Sequence, residues 1–167
     1  MAAVRVTLDR QIGATWTQAF RQAVPQLNTL FNHKGIAVTL SLTGAGPVIT
    51  VRTDPSIQGT ALHGQARTER TGSGRLLRSE VRLPTTIQIN TPSGMRAAGI
   101  GIYVVVAAHE IVHSLGHDGH NTHLMAQVFQ KVMGNSAAGD KLQAGAIMLP
   151  PLQLSDDSVQ TLKGIWG

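Results

Sequence analysis

The feature that most constrains this chain is the apolar run Ile100 to Ala108, which leads without a break into His109-Glu110-Ile111-Val112-His113. A segment this apolar is expected as an interior helix, and it carries a carboxylate and two imidazoles inward with it. On a helix, residues four apart are surface neighbours, so His109 and His113 can reach one metal ion. Glu110 is rotated off that face, where it is better placed to handle a water on the metal than to bind the metal. A buried Glu beside two His is costly unless a cation compensates it. The pattern is H-E-x-x-H, a zinc-binding arrangement.

Gly116 offers the left-handed turn that ends a helix, and the chain then returns to His117, Asp118, Gly119 and His120. A third ligand is expected there. His120 is favoured, because a ligand that swings back under the helix needs chain after Gly116, and Gly119 can supply an unusual backbone angle. His117 is the alternative, followed by Asp118.

The stretch His109-Glu110-x-x-His113-x-x-Gly116, with a His shortly after it, resembles the metzincin clan of zinc endopeptidases, and Ser114-Leu115-Gly116 resembles the matrix metalloproteinases in particular. In that clan the pattern continues x-x-His, which falls here on Gly119, so the loop differs by one residue from the family's path. The resemblance implies a Zn²⁺ cofactor, Glu110 as the catalytic base, and a peptide or protein substrate bound as an extended strand along a sheet edge. It also implies a Met in a tight turn beneath the metal. Met125 is the expected Met-turn residue because it follows His120 closely. Met148, in Ile147-Met148-Leu149-Pro150, is the alternative.

The expected fold class is α+β. It comprises a twisted mixed sheet backed by two long helices, zincin-like, with a small C-terminal subdomain ending in a helix. Val4 to Leu8 alternates as a strand. Trp16, Phe20, Ala23, Val24, Leu27, Leu30 and Phe31 recur at helical spacing up to Gly35, with a kink or break expected at Pro25. Ile36–Leu42 and Val48–Arg52 are strands separated by a Gly44-Ala45-Gly46-Pro47 turn, Thr60–Ala66 is an edge strand, and Thr86–Asn90 is another strand. Ser155 is the expected N-cap of a closing helix with Val159, Leu162 and Trp166 on its apolar stripe. Leu154-Ser155-Asp156-Asp157 and the Trp166-Gly167 ending resemble the closing helix of matrix metalloproteinases, which commonly begins Leu-Ser-x-Asp-Asp and ends with an aromatic and Gly.

At 167 residues the chain is one domain's length, expected as an upper subdomain at 1–116 and a lower one at 117–167. It contains no Cys, so disulfides are excluded and a zinc site must be built from His and carboxylates. No run reaches membrane-spanning length and the first residues lack a signal-peptide pattern, so a soluble monomer is expected, with its compartment open. Arg67, Arg70, Arg75, Arg78 and Arg82 supply much of the net charge of +5 in one short stretch, expected as a solvated loop.

Two other classes compete with the endopeptidase. One is a peptide-binding module whose structural metal is closed by four ligands drawn from the His cluster, with His117, His120 and His123 available. The other is a nucleic-acid-binding domain driven by the Arg-rich stretch, against which the lack of interleaved aromatics counts.

Overall fold

The computed structural model describes residues 1–59, 63–91, 94–120, 124–125 and 152–167. Within them the chain forms β1 (Ala2–Leu8), α1 (Ala14–Lys34), β2 (Val38–Ser41), β3 (Val48–Thr53), β4 (Gln65–Arg70), β5 (Leu76–Leu83), β6 (Gln88–Thr91), β7 (Gly94–Ala97), α2 (Ile100–Leu115) and α3 (Asp156–Trp166). A mixed five-stranded sheet in the order β2-β1-β3-β5-β4 packs against α1 and α2, as the α+β expectation requires.

In β1, Val4 and Val6 are fully buried and alternate with exposed Arg5, so one face of the sheet meets the core. The strands β2 and β3 flank β1 rather than pairing with each other. β2 runs parallel to Ala2–Arg5 and β3 parallel to Arg5–Leu8, and this stagger lets a short loop carry the chain across β1. Gly46 makes that crossing at φ 119, where a Cβ would run into the Ala3 carbonyl.

Helix α1 buries Trp16, Phe20, Ala23, Val24, Leu27 and Phe31 and ends at Gly35, whose φ of 68 is left-handed. The break expected at Pro25 is absent, and the helix continues through it to Lys34. Buried residues on both sides of Pro25 hold the element against the core although one helical N–H is missing. Asn28 reaches across to β2, accepting from the Leu40 N–H at 2.8 Å and donating to the Leu40 carbonyl at 2.9 Å, which satisfies main-chain groups of an edge strand.

The Arg-rich stretch is not a loop. It forms the antiparallel pair β4 and β5, with β4 at the sheet edge. Leu76, Ser79, Val81 and Leu83 are buried on the inner side, and Arg70, Arg75, Arg78 and Arg82 are matched by acids or carbonyls. Arg78 meets Glu69 at 2.6 Å, Arg82 meets Glu80 at 2.6 Å, and the Arg75 Nε donates to the Ile165 carbonyl at 3.1 Å. The edge strand expected at Thr60–Ala66 is therefore shifted along the chain to Gln65–Arg70, while Thr60 to Leu62 lie outside the described residues. The hairpin β6–β7 stands apart from the main sheet. Its second strand gave no pattern to read, because all of Gly94 to Ala97 is exposed.

Helix α2 is buried on nearly every side, the mark of an interior helix. Trp16 meets Tyr103 edge-on with ring centroids 4.6 Å apart, and the Tyr103 hydroxyl accepts from the Ile87 N–H at 2.8 Å. Helix α3 closes the structure. Its N-cap is Ser155, whose hydroxyl accepts from the Ser158 N–H, and its Trp166 indole donates to the Leu115 carbonyl at 2.8 Å, satisfying an orphan group at the end of α2. No helix among the described residues is long and apolar enough to cross a membrane.

Candidate metal centre

The last two turns of α2 and the loop after it bring His109, His113 and His120 together, with one ligand nitrogen from each lying within 4.8 Å of the others. His109 is buried, His113 half-buried and His120 exposed, so the cluster opens to solvent on one side. The His120 ring stacks on His109 at 5.4 Å between centroids and meets His113 edge-on at 5.0 Å.

Two main-chain carbonyls fix the first pair of rings. His109 Nδ1 lies 2.7 Å from the Leu124 carbonyl oxygen, and His113 Nδ1 lies 2.6 Å from that of His117. A carbonyl can only accept, so in each neutral ring the proton sits on Nδ1 and the lone pair on Nε2. The two Nε2 atoms are 2.9 Å apart. Two lone pairs facing each other at that distance repel, and a shared cation removes the conflict. Ligand nitrogens on tetrahedral zinc, each about 2.0–2.1 Å from the ion, stand roughly 3.3 Å apart, so small ring adjustments admit the metal. Burial lowers the pKa of His109 to about 4 and also lowers that of His113, which keeps both rings neutral at pH 7.

Glu110 is buried, and burial pushes its pKa up to about 7. Its Oε1 accepts from the Gly64 N–H at 3.0 Å. Gly64 has no room for a side chain, since a Cβ there would lie 2.7 Å from the Arg82 carbonyl oxygen and 3.2 Å from Glu110 Cγ. A hydroxyl chain ties the same turn of α2 to the sheet. It runs from Thr68 to Ser79 at 2.8 Å, to Ser114 at 2.9 Å and to the Glu110 carbonyl at 3.1 Å.

Of the candidate third ligands, the structure brings only His120 to the cluster. His117 turns away, and its Nε2 lies 3.1 Å from the Ser158 hydroxyl of α3. Asp118 pairs with Arg70 at 2.8 Å. The turn after the helix uses Gly116, at φ 133, whereas Gly119 is not among the positive-φ glycines. The angle expected at Gly119 is thus supplied three residues earlier. Met125 is fully buried in the turn that also presents the Leu124 carbonyl to His109. Met148 and His123 lie outside the described residues.

Several contributors had no signal in the sequence, among them the Leu124 carbonyl, Gly64 and Arg70. His63 is exposed and lies close enough to act electrostatically on both Glu110 and His109.

The raised Glu110 pKa has a consequence for the metal-free protein. A group bound more tightly to its proton when folded contributes stability below its unfolded pKa of 4.5, and this is lost as pH rises to about 7. Glu110→Gln removes that loss. In chelator-treated protein, urea unfolding is expected to show the Gln variant gaining on wild type by on the order of 3 kcal/mol between pH 5 and pH 8. A constant difference across that range would place the Glu110 carboxyl in contact with water.

The chain matches no family model and no curated protein.

Proposed function

We propose that the protein is a zinc-dependent endopeptidase of metzincin type, with His109, His113 and His120 as metal ligands and Glu110 as catalytic base. The observation that carries this reading is the pair of Nε2 atoms 2.9 Å apart, each ring with its Nδ1–H committed to a carbonyl, beside a buried carboxylate. Three protein ligands leave a coordination position open, as hydrolytic zinc sites do, and three neutral imidazoles leave the ion dipositive. When bound, zinc supplies a Lewis acid that polarises a scissile carbonyl and brings a water's pKa toward neutrality.

Glu110 provides the proton shuttle. The Gly64 N–H holds Oε1, which leaves Oε2 to take a proton and pass it to the leaving amine. Its pKa of about 7 in the metal-free protein suits such a group, and a neighbouring dication offsets the burial by favouring the carboxylate form that a base needs. The edge strand β4 can align an extended peptide through main-chain hydrogen bonds. The internal pairing of Arg78 and Arg82 with acids argues against a nucleic-acid surface on this hairpin.

Met125 serves as the packed floor of the site in this reading. Met125→Ala is expected to cost about 2–5 kcal/mol of stability. It should also weaken zinc binding, because the Leu124 carbonyl that orients His109 sits in the same turn. Thermal unfolding and a chelator competition titration check the two effects. A stability loss with unchanged zinc affinity would make Met125 ordinary core.

Hydrolysis of an unstructured peptide mixture, lost on chelation and restored by Zn²⁺, tests the function. A protein that binds zinc yet shows no chelator-sensitive cleavage would instead be a binding module with a structural metal.

A further inference from the structure

His109 and His113 are fixed by a helix and by carbonyls, but His120 sits in a loop, so its reach to the other two depends on what holds that loop. Arg70, at the end of β4, spans the turn. Its Nη2 donates to the His113 carbonyl at 2.9 Å and to Asp118 Oδ1 at 2.8 Å. The Arg70 side chain is only 18% exposed, whereas that of Asp118 is 81% exposed. Gly116 passes directly beneath, and a Cβ on it would lie 3.3 Å from Arg70 Nη1 and collide with Ile165 Cδ1. One guanidinium thus holds both ends of the turn, the helix terminus and the residue two before His120. A cation is favoured at a helix C-terminus by the orphan carbonyls and the dipole, and the bond to Asp118 is charge-assisted.

We propose that Arg70 is a positioning residue for the third metal ligand, clamping the Gly116–His120 turn through Asp118 so that the His120 imidazole meets His109 and His113. This rests on the three-His metal reading and extends it to a residue on the edge strand β4. Because Asp118 is exposed, its ion pair adds little to the stability of the fold, and its effect is expected in ligand geometry instead.

The test is a competition titration of Zn²⁺ against a chromophoric chelator, with the visible spectrum of the Co²⁺ form, for wild type, Arg70→Ala, Arg70→Lys, Asp118→Ala and the double Ala variant. Arg70→Ala and Asp118→Ala are each expected to weaken zinc binding about 10–100-fold and to alter the Co²⁺ spectrum. Arg70→Lys should recover part of the loss, and the double variant should lose less than the product of the single effects. The thermal midpoint of metal-free Asp118→Ala should match wild type, which separates ligand positioning from folding. Wild-type affinity and spectra in Asp118→Ala would overturn the role of Arg70 while leaving the metal site intact. A wild-type protein that takes up no Zn²⁺ would overturn the site and this proposal together.

Discussion

Glu110→Gln is expected to abolish peptide hydrolysis, by roughly 10²–10⁴-fold or more, while zinc stays bound. Gln retains the shape of Glu and an oxygen that can still accept from the Gly64 N–H, so the turn of α2 that carries His109 and His113 is undisturbed. What it cannot do is take up a proton. The same substitution removes a buried carboxylate, so the metal-free variant should be no less stable than wild type at pH 8. This combination of absent hydrolysis, a bound metal and an intact fold separates a base from a ligand. Loss of zinc together with activity, read by metal analysis of the purified variant, would mean that Glu110 binds the metal and that another group moves the proton.

The second large effect belongs to the proposed third ligand. His120→Ala is expected to weaken zinc binding by more than about 100-fold, since deleting a ligand costs more than disturbing a residue behind one. His117→Ala should cost less than about tenfold, because the group that orients His113 is the His117 carbonyl, which the variant keeps. The imidazole of His117 instead meets Ser158 of α3, so its loss should appear as reduced stability, about 1–3 kcal/mol. Isothermal titration of the two variants with Zn²⁺ ranks them. The reverse ranking would transfer the ligand role to His117 and require the loop to rearrange around the metal.

Much of the three-histidine cluster was legible because its signal is local. The four-residue spacing of His109 and His113 on an apolar helix determines their common face whatever the rest of the chain does. His120 followed from the length of chain needed to turn back, although the left-handed angle lies at Gly116 rather than Gly119. The closing helix was readable for the same reason, since Ser155 caps it as its sequence implies. Less legible were features made by distant partners. The Arg-rich stretch reads as a loop when charge alone is considered, and becomes a strand pair because β3, from earlier in the chain, pairs along β5 and the core covers Leu76, Val81 and Leu83. Strand β7 has no buried residue and hence no alternation to detect. Gly64, Arg70 and the Leu124 carbonyl reach the site from other parts of the chain, and no spacing rule connects them to α2.

An open three-histidine metal site would show itself in anomalous diffraction at the zinc edge from crystals grown with Zn²⁺. One strong peak is expected about 2.0–2.1 Å from a nitrogen of each of His109, His113 and His120, with no fourth protein ligand. For His109 and His113 that nitrogen is Nε2, the atom left free by the bonds to the Leu124 and His117 carbonyls. A peak closed by a fourth side chain such as His117 or His123, or no peak between the two Nε2 atoms of α2, would contradict it.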